Sequence, residues 1–128
     1  MTAPDWINGA VGAFGRQMGL TAFALNERGA AGVRFENGVA LRLEYAEGAL
    51  MMTVGQRLPP SERVLVRLLA EAHPLAQGAV QVRAAYMSRT GEAVLVARIF
   101  ERDIETTALE TAFRELWARG ERLWRAVG

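Results

Sequence analysis

The chain has 128 residues, 51% of them hydrophobic, and its 15 basic residues, all Arg, nearly balance 14 acidic ones for a net charge of +1. That length suits a single domain over residues 1–128 and excludes two of ordinary size, and the composition excludes disorder. The absence of Cys removes disulfides, thiolate metal sites and thiol catalysis, and a single His removes most zinc and Ser-His-Asp designs.

Mean hydropathy is +0.07, high for a small soluble domain, and this points to an apolar surface reserved for a partner. Residues 1–60 hold five Arg against five acids, and residues 61–128 hold ten against nine. Without a basic cluster, nucleic acid is a poor candidate for the main partner. No apolar run approaches the ~20 residues of a membrane span. The N-terminus lacks a basic stretch followed by an apolar one, so a cytoplasmic location is expected.

The first predicted helix runs over residues 4–18, with Pro4 in its first turn and Ile7, Val11, Phe14 and Met18 on one face. Gly9, Gly12 and Gly15 weaken it by up to ~1 kcal/mol each relative to Ala, so it needs docking. Gly19 reads as its stop. Short strands follow. Phe23 and Leu25 alternate, as do Val33 and Phe35. Asn37-Gly38 marks a tight hairpin, and Val39, Leu41, Leu43 and Tyr45 alternate against Ala40, Arg42 and Glu44. A further strand is predicted over 49–56.

Pro59-Pro60-Ser61-Glu62 ends the meander and starts a second helix over 61–72. Val64, Leu65, Val66, Leu68, Leu69 and Ala72 make its apolar arc wider than the roughly 100° of a surface helix, so two covered sides are expected. A hairpin over 79–87 and 93–100 comes next. Its second strand is apolar on both faces, Leu95, Ala97 and Ile99 opposite Val94, Val96 and Phe100. Such a strand is covered twice, once by the core and once by a second subunit. The last helix, over 105–126, carries Leu109, Phe113, Leu116 and Leu123 on one face with Trp117 and Trp124 beside them, and Thr107 and Glu110 have capping-box spacing. The expected fold class is therefore α+β: an antiparallel twisted sheet of about five or six strands with three helices, in the order α-β-β-β(-β)-α-β-β-α.

Signals for chemistry are weak. His73 sits at a helix end without a nucleophile or metal-ligand companion. Glu44 with Glu47, and Glu101 with Asp103 and Glu105, read as solvated turns, because paired carboxylates need burial to separate their pKa values. Gly9, Gly12 and Gly15 follow no strand and precede no Lys, so they form no phosphate loop. Arg114, Trp117, Arg122, Trp124 and Arg125 would suit base stacking, but interleaved Glu110, Glu115 and Glu121 cancel the charge.

The order of elements and several local sequences resemble the class I type III secretion chaperones, the Tir-chaperone or CesT-like family. Met18-Gly-Leu-Thr-Ala-Phe-Ala-Leu-Asn-Glu-Arg-Gly is similar to that family's helix end, first strand and turn, and Val33-Arg-Phe-Glu-Asn-Gly-Val-Ala-Leu-Arg-Leu-Glu to its central hairpin. Leu58-Pro-Pro followed by Leu68-Leu-Ala-Glu-Ala-His-Pro-Leu resembles its Pro-started helix and the segment after it. Ala108-Leu-Glu-Thr-Ala-Phe with Arg122-Leu-Trp-Arg resembles its closing helix. Members are usually acidic, and a balance of +1 is a departure that points either to a less usual branch or to a partner with compensating acidic character.

The resemblance implies a homodimer, not an enzyme, that binds the N-terminal region of a secreted effector in extended form in the bacterial cytoplasm, without ATP or another cofactor. Phe14, Met18, Leu20, Phe23, Leu25, Val33 and Phe35 are the expected effector groove. Val66, Leu69, Leu75, Val80, Val82, Ala84 and Val94 are the expected dimer contacts. The competing reading is a small-ligand-binding α+β domain or small enzyme, which would need a closed pocket around His73 or Glu44.

Overall fold

Pro4 opens the first helix, α1 (Asp5–Gln17), and its carbonyl accepts from the amides of Ile7 and Asn8 at 3.1 Å, so the ring's missing N–H costs the helix nothing. The structure, a computed structural model, describes residues 2–73 and 80–127. Ile7, Val11 and Phe14 are buried on one face of α1, as their spacing predicts. The helix ends at Gly19, whose φ of +74° lets the Leu20 amide return to the Gly15 carbonyl at 2.8 Å. Gly15 is required for packing: a Cβ there would lie 2.7 Å from the Cβ of Phe23.

The strand expected at Phe23 and Leu25 does not form. Residues 23–26 carry no regular structure and pass alongside α1, where the Leu25 amide donates to Asn8 Oδ1 at 3.1 Å instead of to a neighbouring strand. Phe23 and Leu25 are buried and Ala22 and Ala24 exposed, so a segment laid on a helix reproduces the two-residue period of a half-buried strand.

The sheet is built from β1 (Ala30–Arg34), β2 (Ala40–Ala46), β3 (Ala49–Arg57), β4 (Val82–Met87) and β5 (Glu92–Phe100), all antiparallel, in the order β1-β2-β3-β5-β4. Asn37 Oδ1 accepts from the Val39 amide at 3.0 Å in the first hairpin, where Gly38 has φ +90°. Glu47 (φ +50°) and Gly48 (φ +75°) make the second, a two-residue turn whose left-handed pair matches the strand twist. Helix α2 (Glu62–Glu71) joins β3 to β4 and is capped by Ser61, whose Oγ accepts from the Val64 amide at 3.2 Å. A 3-10 turn (Glu101–Asp103) leads into α3 (Thr106–Val127). The Leu109 amide donates to the Glu105 carbonyl at 3.1 Å, which places Thr107 inside the helix, so the Thr107–Glu110 capping spacing is not used. Among the described residues, five antiparallel strands and three helices in the order α-β-β-β-α-β-β-α are the fold class that the sequence predicts.

Register assigns each side chain to a face. Leu41, Val54 and Leu95 align across β2, β3 and β5, as do Leu43, Met52 and Ala97, then Tyr45, Leu50 and Ile99. These are buried under α3, whose Leu109, Ala112, Phe113, Leu116 and Leu123 cross them. Full burial of each large aliphatic side chain contributes about 1.5–3 kcal/mol. Phe14 on α1 packs edge-on against Phe113, with ring centroids 5.9 Å apart, and α2 buries Val64 and Leu68 in the same core. All three helices thus lie on one face of the sheet.

Two surfaces expected to be covered twice stay open within the single chain. The other face of β5 leaves Arg98 and Phe100 exposed, while Glu92 and Val94 at its other end are buried. On α2, Leu65, Val66 and Leu69 remain 47%, 55% and 72% exposed.

Candidate functional site

The stretch from Leu20 to Ala24 has an opening on each side. Toward α1, a cleft of about 530 Å³ is lined by Asp5, Asn8, Gly9, Gly12, Arg16, Leu20 and Phe23 among others; the small glycine side of the helix leaves that space. Toward the sheet, a narrower cleft of about 150 Å³ lies between residues 20–24 and Ala31, Gly32 and Val33 of β1. β1 is an edge strand, so its outer backbone N–H and C=O groups belong to no strand ladder.

Beneath these clefts runs a chain of aromatic rings. Phe23 meets Phe14 at 6.2 Å, Phe14 meets Phe113 at 5.9 Å, and Phe35 meets Trp117 at 5.2 Å and Phe113 at 6.4 Å between centroids. The sequence-predicted groove residues therefore divide. Phe14, Phe23 and Leu25 are buried in this floor, while Met18, Leu20, Val33 and Phe35 are half-buried and packed on it. Leu20, Phe23 and Val33 line the clefts directly. Trp117, which joins Phe35 at the floor, was not in the predicted set; its place beside the apolar face of α3 was the available signal.

The predicted dimer residues also divide. Val66 and Leu69 stand on the exposed stripe of α2, and Val80 and Ala84 are half-buried near β4. Val82 is 1% exposed on the helix-covered face. Val94 is 4% exposed on the opposite face, where it fills the space over Gly55; a Cβ on Gly55 would stand 2.9 Å from Val94 Cγ1. Leu75 lies outside the described residues.

Two ion-pair groups hold the architecture. Arg42 of β2 reaches over Gly55 to Glu92 of β5, with Nη2 3.1 and 3.0 Å from the two carboxylate oxygens. Glu92 is 4% exposed. Burial pushes its carboxyl up, but hydrogen bonds from Arg42 and Thr90 and the nearby charges of Arg42 and Arg34 outweigh that and hold it below the ordinary 4.5. A depressed carboxyl stabilises the fold above its unfolded pKa, and the contribution disappears as pH falls through the folded value. Glu92→Gln is therefore expected to melt lower than wild type at neutral pH. The gap should close on acidification below about 4.5 in a thermal-melt series, and a gap independent of pH would count against this role. The second group joins α2 to α3. Arg119, 2% exposed, holds Glu115 Oε1 at 2.9 Å, donates to the Glu71 carbonyl and lies 3.9 Å from the Glu71 carboxylate, which also pairs with Arg122 at 2.8 Å.

Of the candidate groups, Asp103 and Glu105 come together, in a cleft of about 430 Å³ with Arg98, Phe100 and Thr107; the others stay apart. His73, Glu44 and Glu47 are exposed, and the clefts described above do not include them. Glu101 accepts from the Tyr45 hydroxyl at 3.2 Å. Among the described residues no His, Cys, Asp and Glu cluster could hold a metal, and no helix is long and apolar enough to cross a membrane.

Comparison with known proteins places this arrangement. The fold superposes on a chain of the ExsC–ExsE complex with a TM-score of 0.79 at 18% identity, covering 99% of this chain and 97% of that one. A chain of the heterodimeric ExoU–SpcU complex from the type III secretion system of Pseudomonas aeruginosa matches with a TM-score of 0.67 at 23% identity, over 90% and 95%. The Yersinia pestis type III secretion chaperone SycH, in complex with a fragment of YscM2, matches at 0.67 and 16% identity, over 94% and 98%. No curated protein sequence matches significantly. The sequence model of the type III secretory system chaperone SycN matches residues 6–123, nearly the whole fold from α1 into the last turns of α3, and the chain belongs to that family.

Proposed function

We propose that this chain works as an ATP-independent homodimeric chaperone in the bacterial cytoplasm. As one domain over residues 1–128, it would hold the N-terminal region of a secreted effector in extended form, soluble and ready for export. The observation that carries this reading is the pair of clefts beside residues 20–24, open next to the free edge of β1 and floored by apolar rings. An extended client can add main-chain hydrogen bonds along that edge and place alternate side chains against Met18, Leu20, Val33 and Phe35, with Phe14, Phe23 and Leu25 supporting them from below. The apolar anchors offset the entropy that the client loses on ordering. The similar ExsC–ExsE and HopA1–SchA structures, the latter a chaperone–effector complex, support a partner of this kind. On this reading the work is binding rather than turnover: His73 lines none of the described clefts, and Asp103 and Glu105 share one with Arg98 but with no imidazole or metal-binding cluster among the described residues.

The test is co-expression with N-terminal fragments of the secreted proteins encoded beside this gene. A fragment that is insoluble alone should become soluble and co-purify. Leu20→Asp with Val33→Asp should reduce recovery at least about tenfold, since two apolar contacts are lost and two charges must be desolvated, while the mass of the free chaperone stays unchanged. A fragment equally soluble with and without the chaperone sinks the proposal.

A further inference from the structure

The uncovered face of the sheet carries one arginine from every strand. Register places Arg34, Arg42, Arg57, Arg83 and Arg98 on that face, all exposed. The acids that the strands place on it are Glu44 and Glu92, and Glu92 is occupied by Arg42; at its margin Asp103 and Glu105 share a cleft with Arg98 and Phe100. Counted over its strand residues the face is thus net +3, while the rest of the chain holds ten Arg against twelve acids. Its centre is apolar. Val96 and Met51 are half-buried on the middle strands, and Phe100 and Met87 are each 48% exposed at its margins. Arg57, Arg83 and Arg98 have no carboxylate partner among the described residues. Arg98 stacks over the Phe100 ring at 5.2 Å.

Geometry makes these groups one surface. Arg83, Val96, Thr53 and Arg42 fall in a single row across β4, β5, β3 and β2, and Arg98, Met51 and Glu44 fall in the next. At about 4.8 Å between strands, the Arg83 and Arg42 backbones stand about 14 Å apart, room for one chain segment between the guanidinium groups. We propose that this open face docks an acidic amphipathic segment of the secreted client, with its apolar side chains on Val96 and Met51 and its carboxylates on Arg57, Arg83 and Arg98. The proposal rests on the chaperone reading above and adds a second surface to it, on the opposite side of the sheet from the helices. Planar guanidinium groups pair carboxylates in two-pronged fashion, and Arg98, stacked on Phe100, is already held on the face. An apolar centre with interspersed Glu44 and Glu92 is what a peptide with carboxylates on one side accepts and a continuous phosphate backbone does not.

The experiment uses the full chain and two labelled peptides of about 16 residues with Leu at helical 3-4 spacing, one with Glu at the polar positions and one with Arg. Fluorescence anisotropy should show the Glu peptide binding, more weakly as salt rises, and the Arg peptide failing to bind. Arg83→Glu with Arg98→Glu should weaken the Glu peptide at least about tenfold, with an unchanged circular dichroism melt and an unchanged mass by light scattering. Absence of Glu-peptide binding, equal binding of both peptides, or indifference to the double substitution overturns the proposal. So does a single-stranded oligonucleotide of equal charge that binds as tightly, or a change of oligomeric state in the variant. A client kept soluble by the wild type while the Glu peptide fails to bind leaves the chaperone function standing and removes this face from it.

Discussion

Arg119→Met is expected to destabilise the chain by about 2–3 kcal/mol, read as a fall of roughly 10 °C in melting temperature. Arg119 is 2% exposed and, among its described contacts, donates to the Glu115 carboxylate and the Glu71 main-chain carbonyl and ion-pairs with the Glu71 carboxylate, on two helices. The carbonyl belongs to the last turn of α2, where a helix leaves acceptors unpaired and its dipole is negative, so a cation there serves as cap and counter-charge together. Met keeps most of the apolar stem but removes every donor. The cost stays below the 3–5 kcal/mol of a fully broken buried pair, because Glu71 retains Arg122 and Glu115 is 28% exposed. Arg122→Ala is the control. Its side chain is 59% exposed, and a surface pair contributes at most about 1 kcal/mol. Equal melting temperatures for the two variants would show that burial of Arg119 contributes nothing to α2 docking.

The residues that set this clamp illustrate what the sequence can and cannot carry. Arg119 falls on the same 4-3-4 spacing as Ala112, Leu116 and Leu123, but its alternation with Glu115 and Glu121 reads as a solvated charged face; neither its burial nor its partner on α2 was legible, because nothing local pairs residue 71 with residue 119. Element type and order were legible because α1, β2 and α3 each have an unambiguous period and Asn37-Gly38 admits few conformations. The unpaired segment at Phe23 and Leu25 misled for a physical reason: alternate burial needs only an extended chain and one apolar wall, and α1 supplies that wall as well as a sheet would. The five arginines lie in five strands and become one surface only when β5 inserts between β3 and β4, a fact of topology. Hydrophobic spacing likewise marks Phe14 and Leu20 as equally apolar, while only packing shows that one is floor and the other rim.

Leu69→Asp is expected to convert the proposed dimer of about twice 14.0 kDa into a monomer of 14.0 kDa at micromolar concentration, measured by light scattering. Leu69 is 72% exposed on a stripe with Leu65 and Val66, which lie four and three residues before it and so share its helix face. Micromolar dimerisation requires about −8 kcal/mol after the cost of association has been met. In a two-fold interface each side chain counts twice, so six aliphatic side chains at up to about 1.5–3 kcal/mol each are the main source available on α2. Asp at position 69 removes two of them and sets two carboxylates into the same apolar seam, where each must be desolvated without a partner. The stripe is solvent-facing in the single chain, so the substitution should leave the monomer's melting transition within about 0.5 kcal/mol of its own baseline. Arg119→Met should act on the same equilibrium more weakly, because it loosens the helix that presents the stripe without altering the stripe itself. A Leu69→Asp protein that remains dimeric would move the subunit contact away from α2, and the half-buried Val80 and Ala84 near β4 would then be the next residues to substitute.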